Sequence, residues 1–212
     1  MKGLADIKPA IEKMKSKPCV TDLRSHTYLS TYPHILKFCE QVDCFDDSSF
    51  RQIVLMVYGW MPRVLRVDSR YVQDAIQSAN NVMTLSKDNL KSAETDLKNI
   101  AECLHSHVGA SKTLHFIRPD VFPIWDSKIQ AFLGLPNNYN EMTKSKNYFD
   151  YAERVHAITL SKGFDEFYSD YSDAFGHRLL QSNIEQYQVS DIRAVESCAF
   201  ELAPQDQSYA DS

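Results

Sequence analysis

The stretch Ser86-Lys-Asp-Asn-Leu90-Lys-Ser-Ala93-Glu94-Thr-Asp-Leu97-Lys98-Asn-Ile100-Ala101-Glu-Cys103-Leu104-His105 decides the fold class. Leu90, Ala93, Leu97, Ile100, Ala101 and Leu104 recur three and four residues apart, which lines one apolar stripe along a helix. Glu94 lies one turn before Lys98, the favourable order for an exposed ion pair. The same period recurs on both sides of this segment. Helices are predicted over 7–17, stopped by Pro18; over 34–42, opened by Pro33; and over 50–58, behind a cap cluster at 46–49. Residues 70–79, 110–117, 128–133, 148–161 and 164–183 complete the set, the last interrupted near Gly176. No run alternates with period two and no internal repeat is present. The expectation is an all-α, multi-helix fold. It forms one globular unit over 1–203, with a frayed polar tail over 204–212.

Composition narrows the function classes. The chain has 212 residues, 43% hydrophobic and 24% charged, enough to bury a large core. Its longest apolar run, residues 53–58, is far below the roughly 20 residues of a membrane span, so no membrane partner is expected. The first six residues lack a signal-peptide core. Five cysteines, an odd number with no C-x-x-C pair, suit a reducing compartment and a cytoplasmic location. The net charge of −5 is uneven: residues 151–212 carry 4 basic side chains against 11 acidic, which leaves the first 150 residues mildly basic. Nucleic-acid affinity would therefore come from a local patch.

Chemistry concentrates between His105 and Lys128. A glycine ahead of a helix exposes backbone N–H groups that can grip a phosphate, and Val108-Gly109-Ala110-Ser111 has that form. Lys112 behind it is a solvated lysine, a phosphate contact or an amine nucleophile. Asp126, before Ser127, is a helix cap or an acid held ionised at a helix start. Arg63, Arg66 and Arg70 fall on one face if a helix begins that early. There they would meet a phosphate backbone or pair with Asp68, Asp74 and the acidic tail. Cys103, His105, His107 and His115 lack the paired spacing of a zinc site, so neither a metal nor a cofactor is expected.

Across residues 94–135 the sequence resembles the helix–hairpin–helix DNA glycosylase superfamily, the endonuclease III and oxoguanine glycosylase group. Val108-Gly109-Ala110-Ser111-Lys112 is similar to its hairpin, and Phe122-Pro123-Ile124-Trp125-Asp126 to its loop and acid. Gly134-Leu135 is similar to the end of its following helix. The resemblance implies a monomeric enzyme that flips a base out of double-stranded DNA and cleaves its N-glycosidic bond. Asp126 would stabilise the oxocarbenium-like sugar or activate its attacker, and Lys112 would attack the sugar as an amine. A flipped base needs an aromatic lining. Trp125, Trp60 and Tyr58 are the candidates, with core packing the other reading of Trp60. The chain departs from the pattern at His107, where the hairpin's leading glycine is expected, and at Ser127-Lys128 after the acid. Its spacing from Lys112 to Asp126 is also about one helical turn shorter (~4 residues). A non-catalytic helical module that keeps the hairpin for binding DNA or protein is the alternative.

Overall fold

The computed structural model describes residues 1–61 and 63–204; most of the tail expected to fray therefore lies outside the described residues. The described chain is all-α, without a strand. Its helices are α1 (Pro9–Ser16), α2 (Leu23–Glu40), α3 (Asp47–Trp60), α4 (Val72–Met83), α5 (Glu94–Leu104), α6 (His107–Ile117), α7 (Ser127–Phe132), α8 (Tyr139–Thr143), α9 (Ser145–Thr159), α10 (Phe164–Gln181) and α11 (Asp191–Leu202). A short 3-10 segment over Lys87–Ala93 leads into α5. Among the described residues no helix is long and apolar enough to cross a membrane.

Helix starts follow cap chemistry. Asp46 accepts from the Ser49 N–H while Ser49 Oγ accepts from the Asp46 N–H, a reciprocal box that opens α3. Asp22 does the same work for α2 with one bond, to the Ser25 N–H. The helix expected at 34–42 therefore begins eleven residues earlier, at Leu23, and Pro33 lies inside it. Proline removes the N–H that would bond the Leu29 carbonyl. That carbonyl instead accepts from the Tyr187 hydroxyl at 2.8 Å, so the defect is repaired across the fold. α10 likewise runs through Gly176 without the expected interruption. The arginine stripe does not form. Residues 63–71 precede α4 in non-helical chain, anchored by the Asp68 N–H on the Cys103 carbonyl, so Arg63, Arg66 and Arg70 share no helical face.

α6 occupies the middle, with α2, α3, α4 and α5 around it and α8 alongside; all but three of its eleven residues are buried. The turn into it falls at His105–Ser106, three residues before the hairpin-like Val108–Gly109. α5 ends because His105 takes the left-handed conformation (φ 47°), and Ser106 caps α6 by accepting from the Gly109 N–H at 2.9 Å. Gly109 serves closeness rather than turning, since a Cβ there would meet the Tyr58 hydroxyl at 2.5 Å. α11, which the sequence reading did not anticipate, packs on α1, α7 and α9 and closes the core behind α6.

Candidate functional site

Two side chains one turn apart on α6 shape the site. Ser111 Oγ donates to the Trp125 carbonyl (3.1 Å) and lies 3.2 Å from the Trp125 N–H, which donates back. His115 Nδ1 lies 2.7 Å from the Phe122 carbonyl; a carbonyl only accepts, so this nitrogen carries the ring proton. Its Nε2 then accepts from the Tyr32 hydroxyl at 2.8 Å. Burial, seconded by the nearby Arg193, pushes the His115 pKa down to about 3, and the ring is neutral. Together Ser111 and His115 clamp residues 122–125 against α6. The chain then reaches Asp126, near enough for its carboxylate to act on the charge of Lys112, the residue after Ser111 on α6.

Asp126 Oδ1 accepts from the Lys128 and Ile129 N–H groups (3.0 and 3.1 Å), capping α7, while its second oxygen bonds to no described residue. The Lys112 ammonium lies 5.1 Å from the centre of the Trp60 ring. Trp60 is fixed there by its N–H on the Tyr28 carbonyl (3.0 Å) and an edge contact with Phe116. The guanidinium of Arg193 also lies by this indole, 5.9 Å from its centre, and covers Tyr32 at 5.0 Å. Arg193 forms an ion pair with Oε2 of Glu196, whose side chain is only 1% exposed. The other carboxylate oxygen, Oε1, is buried without a hydrogen-bond partner among the described residues, as is the Tyr151 hydroxyl. One indole thus faces two cations, with two carboxylates within electrostatic reach.

Burial dominates the proton affinities. It lowers the Lys112 pKa, against the pull of Asp126 and Glu196 and with help from Arg193 and Arg63. It raises the Glu196 carboxyl to about 7, aided by Asp126 and opposed by Arg193 and Lys112. Burial would also discharge Arg193, but Glu196 and Tyr32 overcome it and hold the guanidinium firmly charged. Such a site offers an amine that loses its proton more easily than a surface lysine, and a carboxylate beside it to stabilise a nascent cation.

The structure thus brings together three of the expected residues, Lys112, Asp126 and Trp60, with Arg63 near enough to act on the Lys112 charge. It separates the others. Trp125 turns away, its N–H on the Met142 carbonyl (3.0 Å) and its ring against Tyr148 and Tyr151. Tyr58 is wedged against Gly109, its hydroxyl on the Leu104 carbonyl at 3.4 Å. Arg70 pairs with Asp68 at 2.6 Å, and Arg66 is exposed. Gly109, Ala110 and Ser111 are buried, and the N–H groups of the first two bond to Ser106; only Val108 keeps partial exposure. Cys103 donates to the Asp68 carbonyl at 3.8 Å, and no three His, Cys, Asp or Glu side chains among the described residues are grouped to hold a metal.

Arg193, Glu196, Tyr32 and Tyr151 belong to the site and went unnoticed in the sequence. A signal exists for the first pair: Ile192, Val195 and Ala199 set an apolar helical register, and Glu196 falls inside it. A charge in an apolar stripe implies a buried pair, since an unpaired buried charge is too costly. No protein-family model, curated protein or solved structure matches the chain.

Proposed function

We propose that the protein is a metal-independent DNA glycosylase of the helix–hairpin–helix type, cleaving the bond between a modified or damaged base and its sugar. One observation carries the reading: the Ser111 and His115 clamps return the chain so that Asp126 acts on the charge of Lys112, beside the face of Trp60. An acid, an amine and an aromatic plane are what base excision requires. Asp126, through the oxygen left over from capping α7, stabilises positive charge on the sugar as the base leaves. Lys112, its amine made accessible to deprotonation by burial, attacks the sugar carbon and releases its proton to solvent or a neighbouring carboxylate. The α5–turn–α6 pair approaches the phosphates with the N–H groups of His107 and Val108, which have no intrahelical acceptor. Arg63 and Arg66 add exposed positive charge nearby in sequence to Trp60. The test is abasic-site formation on double-stranded DNA by wild type and by Asp126→Asn, which keeps a capping oxygen but loses the carboxylate charge.

A second reading, a non-catalytic module that binds DNA or protein through the same hairpin, is favoured by one observation. Asp126 has a complete structural role as the cap of α7. Binding without abasic sites, equal in wild type and Asp126→Asn, selects it.

A further inference from the structure

Glu196 has no role in the reaction as described, yet its burial demands one. A carboxylate inside a core is tolerated when both oxygens are satisfied; here Arg193 takes Oε2 and Oε1 has no partner among the described residues. An apolar residue would pack there at lower cost. The nearby cations are not arranged for simple neutralisation either. Arg193 is committed to the faces of Tyr32 and Trp60, and Lys112 lies on that same indole without a hydrogen bond to any described carboxylate. The charged and titratable groups acting on Glu196 come from five helices. They are Lys112 on α6, Asp126 at the start of α7, Tyr151 on α9, Tyr32 on α2, and Arg193 and the buried Cys198 on α11 itself. Of these, only Lys112 is both a candidate nucleophile and partly open to solvent.

We propose that Glu196 is a positioning residue for Lys112: its buried carboxylate, paired with the Arg193 that shares the Trp60 indole with Lys112, sets how tightly the Lys112 amine holds its proton. The proposal rests on the glycosylase reading for its purpose, but its physical content does not. When Glu196 is ionised it holds the ammonium and masks part of the Arg193 charge. When it is neutral, Arg193 repels the ammonium unopposed and the amine is released. Because burial lifts the Glu196 carboxyl to about 7, this exchange falls in the neutral range. No bond to Glu196 is broken or formed except the O–H of its own carboxyl, whose proton comes from solvent.

The experiment is reductive methylation of the whole protein by formaldehyde and cyanoborohydride between pH 6 and 9. Lys112 is quantified by peptide mass spectrometry as a ratio to the exposed, ion-paired Lys98 of α5. Glu196→Gln removes the charge and keeps the shape. The expected result is a Lys112 ratio at pH 7 raised roughly threefold or more, about half a unit of proton affinity, with unchanged circular dichroism. If that variant fails to fold, wild type alone decides. Its Lys112 ratio climbs less steeply between pH 6 and 8 than outside that window, because Glu196 ionises there and tightens the proton. Equal profiles in wild type and variant, a featureless wild-type ratio, or no methylation of Lys112 at any pH overturns the proposal. Abasic-site formation is measured on the same samples. A shifted Lys112 profile without abasic sites refutes the glycosylase reading and leaves the coupling intact; abasic sites with an unshifted profile do the reverse.

Discussion

Gly109→Ala tests the close approach that seats α6. A methyl at this position meets the Tyr58 hydroxyl at 2.5 Å and two of its ring carbons at 3.1 Å. The ring is 6% exposed and held by its hydroxyl on the Leu104 carbonyl, so it cannot swing aside freely. Overpacking of this kind costs about 1–3 kcal/mol, and loosening the Tyr58 hydrogen bond adds about 1 kcal/mol. Alanine's helix preference returns about 0.5–1 kcal/mol. The net loss is about 2 kcal/mol, which for a domain of this size lowers Tm by roughly 4–8 °C. Gly59→Ala is the matched control, because it too is helical, in α3, and a Cβ there meets nothing within 4 Å. That variant gains about 0.5–1 kcal/mol. Thermal melts by circular dichroism compare the pair. If Gly109→Ala is as stable as wild type or gains as much as Gly59→Ala, the contact with Tyr58 does not govern the seating of α6.

Asp126→Ala removes the acceptor of two N–H groups and costs about 0.5–2 kcal/mol, whereas Asp126→Asn keeps most of it. Urea titrations giving equal midpoints for the two variants would rule out the cap. His115 is neutral in the fold with its pKa at about 3, below its ordinary 6.5, so the unfolded chain binds the extra proton on acidification. Its stabilising share is present above pH 6.5 and shrinks by about 1.4 kcal/mol per unit as pH falls toward 3. The stability difference between wild type and His115→Gln should narrow correspondingly from pH 6.5 to 4.5. A constant difference would mean the ring is not held neutral.

Much of this fold was legible because helix stripes and caps are local. The 86–105 stripe became the 3-10 segment and α5 with its apolar residues buried, and the cap cluster at 46–49 opened α3. What failed was long-range. Pro33 reads as a helix start until Tyr187, more than a hundred residues away, satisfies the freed Leu29 carbonyl. The arginines at 63, 66 and 70 have helical spacing, yet Asp68 is drawn to the end of α5 and holds the chain open. In the site, Lys112 and Asp126 stood out by their chemistry. Trp60 was ambiguous until the Tyr28 carbonyl and the Lys112 ammonium were seen on it. Arg193 and Glu196 were hidden because α11 itself went unread, and only packing against α1, α7 and α9 brings Arg193, with Glu196 paired to it, to the indole.

The most direct test of base excision is to incubate wild type and Asp126→Asn with double-stranded DNA from diverse sources, heavily modified viral DNA included, and count abasic sites. A glycosylase of the proposed type gives abasic sites with wild type, few or none with Asp126→Asn, and a borohydride-trapped adduct that maps to Lys112. DNA bound by both proteins and left intact by both would contradict it.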